Sequence, residues 1–120
     1  MRNFRDLEIW HKAIQLTKSI YLLTGNFPAK ERFGLSSQLQ RAAVSVASNI
    51  AEGASRRSHV DFARFLQMSL GSAFEVETQL HIAREIGYLA PEKLETELQE
   101  LTILQKQINQ LITKIWRRHR

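Results

Sequence analysis

The chain contains no cysteine, so a disulfide framework and a thiolate metal site are both excluded. Its 120 residues include only two prolines and five glycines, and all of these but Gly34 and Gly71 fall in breaker clusters between long stretches. No apolar run approaches the roughly 18 residues of a membrane span. The opening residues, MRNFRDLEIW, place acids where a signal peptide needs a continuous apolar block, and the expected location is the cytoplasm. Glycine-rich phosphate loops and G-x-S-x-G elbows are missing, and no Glu is followed three residues later by His, as the di-iron bundle pattern requires. Glu77, His81 and Glu85 form an i, i+4, i+8 row, but three ligands on one helix face reach a single ion poorly. It reads as a solvated charge row. His11, His59 and His119 have no companion at ligand spacing. These absences point away from an enzyme, and neither a metal nor a cofactor is expected.

The breaker clusters 25–28, 53–58 and 87–91 leave four segments of helix length, over about 6–24, 29–54, 59–86 and 91–116. The chain length is that of one domain, here 1–120. In the first segment Leu7, Trp10, Ala13, Ile14, Thr17, Ile20 and Tyr21 repeat at three and four, with Asp6 as N-cap and Gly25 just past the end. In the second, Leu35, Leu39, Ala42, Val46, Asn49 and Gly53 do so, with Gly34 disturbing the start and Gly53 near a C-cap. Phe62 to Ala83 and Leu94 to Ile115 keep a sustained 3.5-residue repeat. Such repeats imply near-parallel packing, and short connections imply antiparallel neighbours. The predicted fold is all-α: an antiparallel, up-down-up-down, left-handed four-helix bundle. Ile9, Leu70 and Ile103 fall off these repeats and, with Trp10, are candidates for a subunit boundary.

Arg41 to Gly53, RAAVSVASNIAEG, is a helix with almost no side-chain bulk and with Arg41, Asn49 and Glu52 spaced along it. Its smallness suits close helix crossings and assembly more than a catalytic cleft. The register estimated from the loop centres sets Arg41 level with Ser72, one turn from Glu75, and sets Glu52 within a turn of Arg64. These residues form a candidate internal polar network between the second and third helices.

Net charge is +5 and the sequence pI about 10.0. That permits contact with nucleic acid without diagnosing it. Glu92, Glu95, Glu97 and Glu100 precede a tail of Lys106, Lys114, Arg117, Arg118 and Arg120, an order that complements a helix dipole and also suits a phosphate backbone. Arg56 and Arg57 form a second basic point in the second connection. An antiparallel bundle merges the two into one basic end. The candidate nucleic-acid contacts are therefore Arg56, Arg57, Lys114, Arg117, Arg118 and Arg120. Basic ends also serve solubility alone.

Several residues carry a family likeness. They are Phe4, Leu7, Trp10 and Ala13; Tyr21, Phe27-Pro28, Glu31 and Gly34-Leu35; Gln38, Arg41-Ala42-Ala43, Ser45 and Asn49-Ile50-Ala51-Glu52-Gly53; and Phe62, Phe65-Leu66, Gly71-Ser72, Glu75 and Glu77. Together they resemble the bacterial 23S rRNA-intervening-sequence proteins, the S23 family. The Asn-Ile-Ala-Glu-Gly stretch is the most specific part. Ala47 departs from the bulkier or proline-like residue common before it. The resemblance implies an antiparallel four-helix bundle that assembles as a homopentamer. It also implies kinship with a retroelement accessory protein that works with a reverse transcriptase and binds nucleic acid. The ribosomal label describes where the genes lie. Two functions follow as expectations: an oligomer associating with RNA or DNA through its basic end, or a structural scaffold for protein partners with no nucleic-acid role.

Overall fold

The computed structural model describes residues 2–119. Four helices account for most of them: α1 (Glu8–Thr24), α2 (Leu35–Ala54), α3 (His59–Ile86) and α4 (Pro91–Arg118). They pack into an all-helical body of 46 × 23 × 19 Å around one apolar core to which every helix contributes. No strand occurs among the described residues.

Helix ends follow local chemistry. The Ser58 hydroxyl accepts from the Asp61 amide at 3.0 Å and starts α3, and Pro91 occupies the first turn of α4. Gly87 ends α3 in the left-handed region at φ 96°, which a side chain would strain. Two expectations need correction. The α1 N-cap is Leu7 rather than Asp6, which belongs to a 3-10 turn (Phe4–Asp6) capped by Asn3. Gly25 follows the last residue of α1 as expected, with right-handed backbone at φ −60°. The second helix starts at Leu35 rather than near residue 29, because Glu31 ends a 3-10 turn (Ala29–Glu31) and its carboxylate accepts from the Leu35 amide at 3.1 Å. That bond, and a second from the Tyr88 hydroxyl at 2.9 Å, hold the Glu31 carboxyl below its usual range.

Between α2 and α3 a polar seam sets the register. The Gln79 amide donates to Gln38 at 3.3 Å, the Ser72 hydroxyl to Ser45 at 2.9 Å and the buried Ser69 hydroxyl to the Val46 carbonyl at 2.8 Å. Partners step in opposite directions along the two helices. On the other side of α2, Thr17 reaches the Ala43 carbonyl and Gln40 reaches Thr24, again in opposite directions. Gly53 lies inside α2, buried against α3, and is not a cap. The core of α1 is Ile9, Ala13, Leu16, Ile20 and Leu23. Ile9 is therefore not a surface residue, while Ile14 and Tyr21, predicted inside, are 40% and 50% exposed.

Candidate nucleic-acid interface

A serine holds each end of the short α2–α3 connection. The Ser55 hydroxyl donates to the Glu52 carbonyl at 2.6 Å, and Ser58 caps α3. Arg56 and Arg57 project between them and are exposed. The Arg56 guanidinium lies 4.6 Å from the Phe65 ring centre and 3.9 Å from the Glu52 carboxylate. Arg57 has no ion-pair partner among the described residues.

The N-terminal segment closes over this corner. The Arg2 amide donates to the Ala54 carbonyl at 3.2 Å, and its guanidinium donates to the Arg56 carbonyl at 3.2 Å and to Nδ1 of His59. The same guanidinium covers the Phe62 ring at 4.3 Å. His59 stacks on His119 with ring centres 3.5 Å apart and planes 10° from parallel, which brings the end of α4 against the α2–α3 corner. Loss of solvation lowers the His59 pKa from its ordinary 6.5, and the neighbouring His119 and Arg2 push the same way. Arg2 donating to Nδ1 requires that nitrogen unprotonated, so the neutral ring is the one the contact holds.

On α4, Lys114, Arg117 and Arg118 are exposed and line a shallow depression with Asn109, Gln110 and Thr113. The structure thus gathers Arg56, Arg57, Lys114, Arg117 and Arg118 at one end of the body. Arg120 lies outside the described residues. Arg2, His59 and His119 join this end unanticipated. Their signal in the sequence was weak, since a lone N-terminal arginine and two unspaced histidines resemble any others.

The polar-network residues divide. Asn49 donates to the Ser45 carbonyl and hydroxyl at 2.9 and 3.0 Å, and Ser45 accepts from Ser72, so these three form one cluster. Glu52 pairs with Arg56, and Arg64 pairs with Asp61 at 3.2 Å, rather than with each other. Among the described residues every ion pair is local, i to i+3 or i+4, and such exposed pairs contribute little. Arg41 and Glu75 are exposed, and no ion pair joins either to a described residue. The Glu75 carboxylate accepts only a long bond of 3.4 Å from Gln79. Glu77 receives the Gln105 amide at 2.9 Å and lies 3.5 Å from His81. Among the described residues no three His, Asp or Glu side chains converge as metal ligands, and no helix is long and apolar enough to cross a membrane.

The sequence model of the 23S rRNA-intervening sequence proteins matches residues 5–110. Among curated proteins there is no match. Among solved structures the chain is similar to a protein of unknown function from the S23 ribosomal protein family of Bacteroides thetaiotaomicron. The TM-score is 0.78 at 25% identity, over 87% of this chain and 97% of that one.

Proposed function

Since the chain belongs to the 23S rRNA-intervening sequence protein family, we propose that it is a non-enzymatic, oligomeric bundle that associates with nucleic acid through its basic end. In this reading the topology is up-down-up-down, antiparallel and left-handed, and the assembly is a cytoplasmic homopentamer. The observation that carries it is the convergence of Arg2, Arg56, Arg57, Lys114, Arg117 and Arg118 on one end. The acids of the α2–α3 corner, Glu52 and Asp61, each engage one arginine, which leaves Arg57, Lys114, Arg117 and Arg118 for phosphate oxygens. Exposed, flexible cations without groove-sized reading elements favour backbone contact over sequence readout. The ligand class is therefore RNA or DNA recognised by charge.

Binding of a mixed-sequence single-stranded RNA, followed by fluorescence anisotropy, tests this. Affinity should fall steeply with added salt. Arg56→Gln, Arg57→Gln, Arg117→Gln and Arg118→Gln together should abolish binding while light scattering shows the assembly intact. Absence of binding at about 50 mM salt, or binding indifferent to salt, would leave the scaffold role instead.

A further inference from the structure

α1 carries two apolar stripes, and only one is in the core. The other includes Trp10, Ile14 and Tyr21, and it borders the small residues of α2. Trp10, Ile14, Val44, Ala47, Ser48 and Ala51 line a largely apolar trough of about 360 Å³. Arg41 adjoins it, beside Tyr21 and Val44. A floor of alanine and serine leaves this face recessed where an ordinary surface helix presents long polar side chains.

α3 has the opposite relief. Its inner side is core, yet Met68, Phe74 and Ile82 are 49%, 50% and 44% exposed on its outer side. Met68, Gly71, Glu75 and Ile82 follow one stripe at spacings of three, four and seven, and Phe74 stands one turn from Gly71 on its flank. Three large apolar side chains spread over one outward helix face form a patch of the kind that marks an interaction surface.

The two faces match in level and in charge. The Gln38–Gln79 and Ser45–Ser72 bonds fix the register, and Arg41 and Glu75 stand midway between them at one height. By the same register, Ser48 and Met68 are one residue from level, and Val44 lies level with Ala73, beside Phe74. A cyclic assembly whose axis runs along the bundle keeps the heights of all copies aligned, so the face of one copy meets the other face of the next at these levels. Arg41 and Glu75, which no ion pair joins to any described residue, then come opposite each other, and large side chains meet small ones, as ridges enter grooves.

We infer that the α3 ridge of one copy (Met68, Phe74, Ile82) docks in the α1–α2 trough of a second copy, with Arg41 and Glu75 paired across the boundary. This deepens the oligomeric part of the proposed function and rests on it. The contact is heterologous, the type that closes into a ring when the rotation permits. It also accounts for the small residues of the Arg41–Gly53 helix, which have a neighbour on each side.

The chain has no cysteine, so single introduced cysteines report contacts cleanly. Ser48→Cys marks the trough. Gly71→Cys marks the ridge, where a Cβ meets nothing within 4 Å. Co-expressed and oxidised, the two variants should give disulfide-linked dimers on a non-reducing gel, and neither should do so alone. A multimer by light scattering with no cross-link in the mixture, or with cross-links in either variant alone, overturns this pairing of faces and leaves the oligomer standing. A monomer by light scattering overturns the oligomeric reading and the interface with it.

Discussion

A methyl group placed on Gly53 would meet the Cβ of Phe65 at 2.7 Å and Cδ1 of Phe62 at 3.1 Å. The first of these atoms is fixed to the α3 backbone and cannot swing aside, so α2 and α3 would have to separate. Two effects oppose each other in Gly53→Ala. Helix propensity favours alanine by about 1 kcal/mol, whereas overpacking a close crossing costs about 1–3 kcal/mol. The overpacking term should win, giving a net loss of up to about 2 kcal/mol in urea unfolding, and an alanine variant more stable than the parent would show that the crossing relaxes freely. The sequence already set Gly53 at the end of a small-residue run, but the run alone could not tell a cap from a crossing. The same limit applied to the charges. The register estimated from the loop centres was one turn off, since Ser72 meets Ser45 and Arg41 lies level with Glu75; both are exposed, no ion pair joins them among the described residues, and level alone does not make one. The short hydroxyls and the amides, Ser45, Ser69, Ser72, Gln38 and Gln79, span the seam instead, because they sit nearest the facing helix.

Among the helices, α1 was the least legible, for a definite reason. Its apolar residues outnumber those one core-facing stripe can hold, so Leu7, Trp10, Ala13, Ile14, Thr17, Ile20 and Tyr21 made as good a period as the buried Ile9, Ala13, Leu16, Ile20 and Leu23, the two sharing Ala13 and Ile20. For α3 and α4 the heptad reading named the inner faces correctly from Phe62 to Ala83 and from Leu101 to Ile115, since those helices have one long uninterrupted seam each. Helix starts were read less well wherever a 3-10 turn intervened, because the caps there come from Asn3 and from the Glu31 side chain and not from the expected position. The two stripes of α1 can be separated by truncation. Ile9→Ala removes a side chain 6% exposed and should cost about 2–4 kcal/mol of folding free energy. Ile14→Ala removes one 40% exposed and should cost under about 1 kcal/mol in folding, its effect appearing as weaker assembly at low protein concentration. Equal folding losses at the two positions would mean that the second stripe is also part of the monomer core.

For the whole molecule, the basic end and the proposed interface act on binding in ways that one substitution sets against each other. In a ring whose axis follows the bundle, every copy directs Arg57, Lys114, Arg117 and Arg118 to the same side. A few phosphate contacts per subunit are weak, and linking them raises the overall affinity by on the order of 10²–10⁴. Glu75→Arg removes an acid and adds a base on a chain already at +5, which by charge alone strengthens attraction to RNA. It also faces Arg41 with a like charge across the subunit boundary and should dissociate the ring. If charge per subunit governs affinity, this variant binds RNA more tightly than the parent. If avidity governs it, the variant binds more weakly despite its added charge, and its salt slope becomes shallower because fewer phosphates are neutralised at once. The second result is expected at about 50 mM salt, with light scattering confirming the loss of the multimer. A dissociated Glu75→Arg protein that still bound RNA as tightly as the parent would place the whole affinity within a single subunit and remove any need for the ring in recognition.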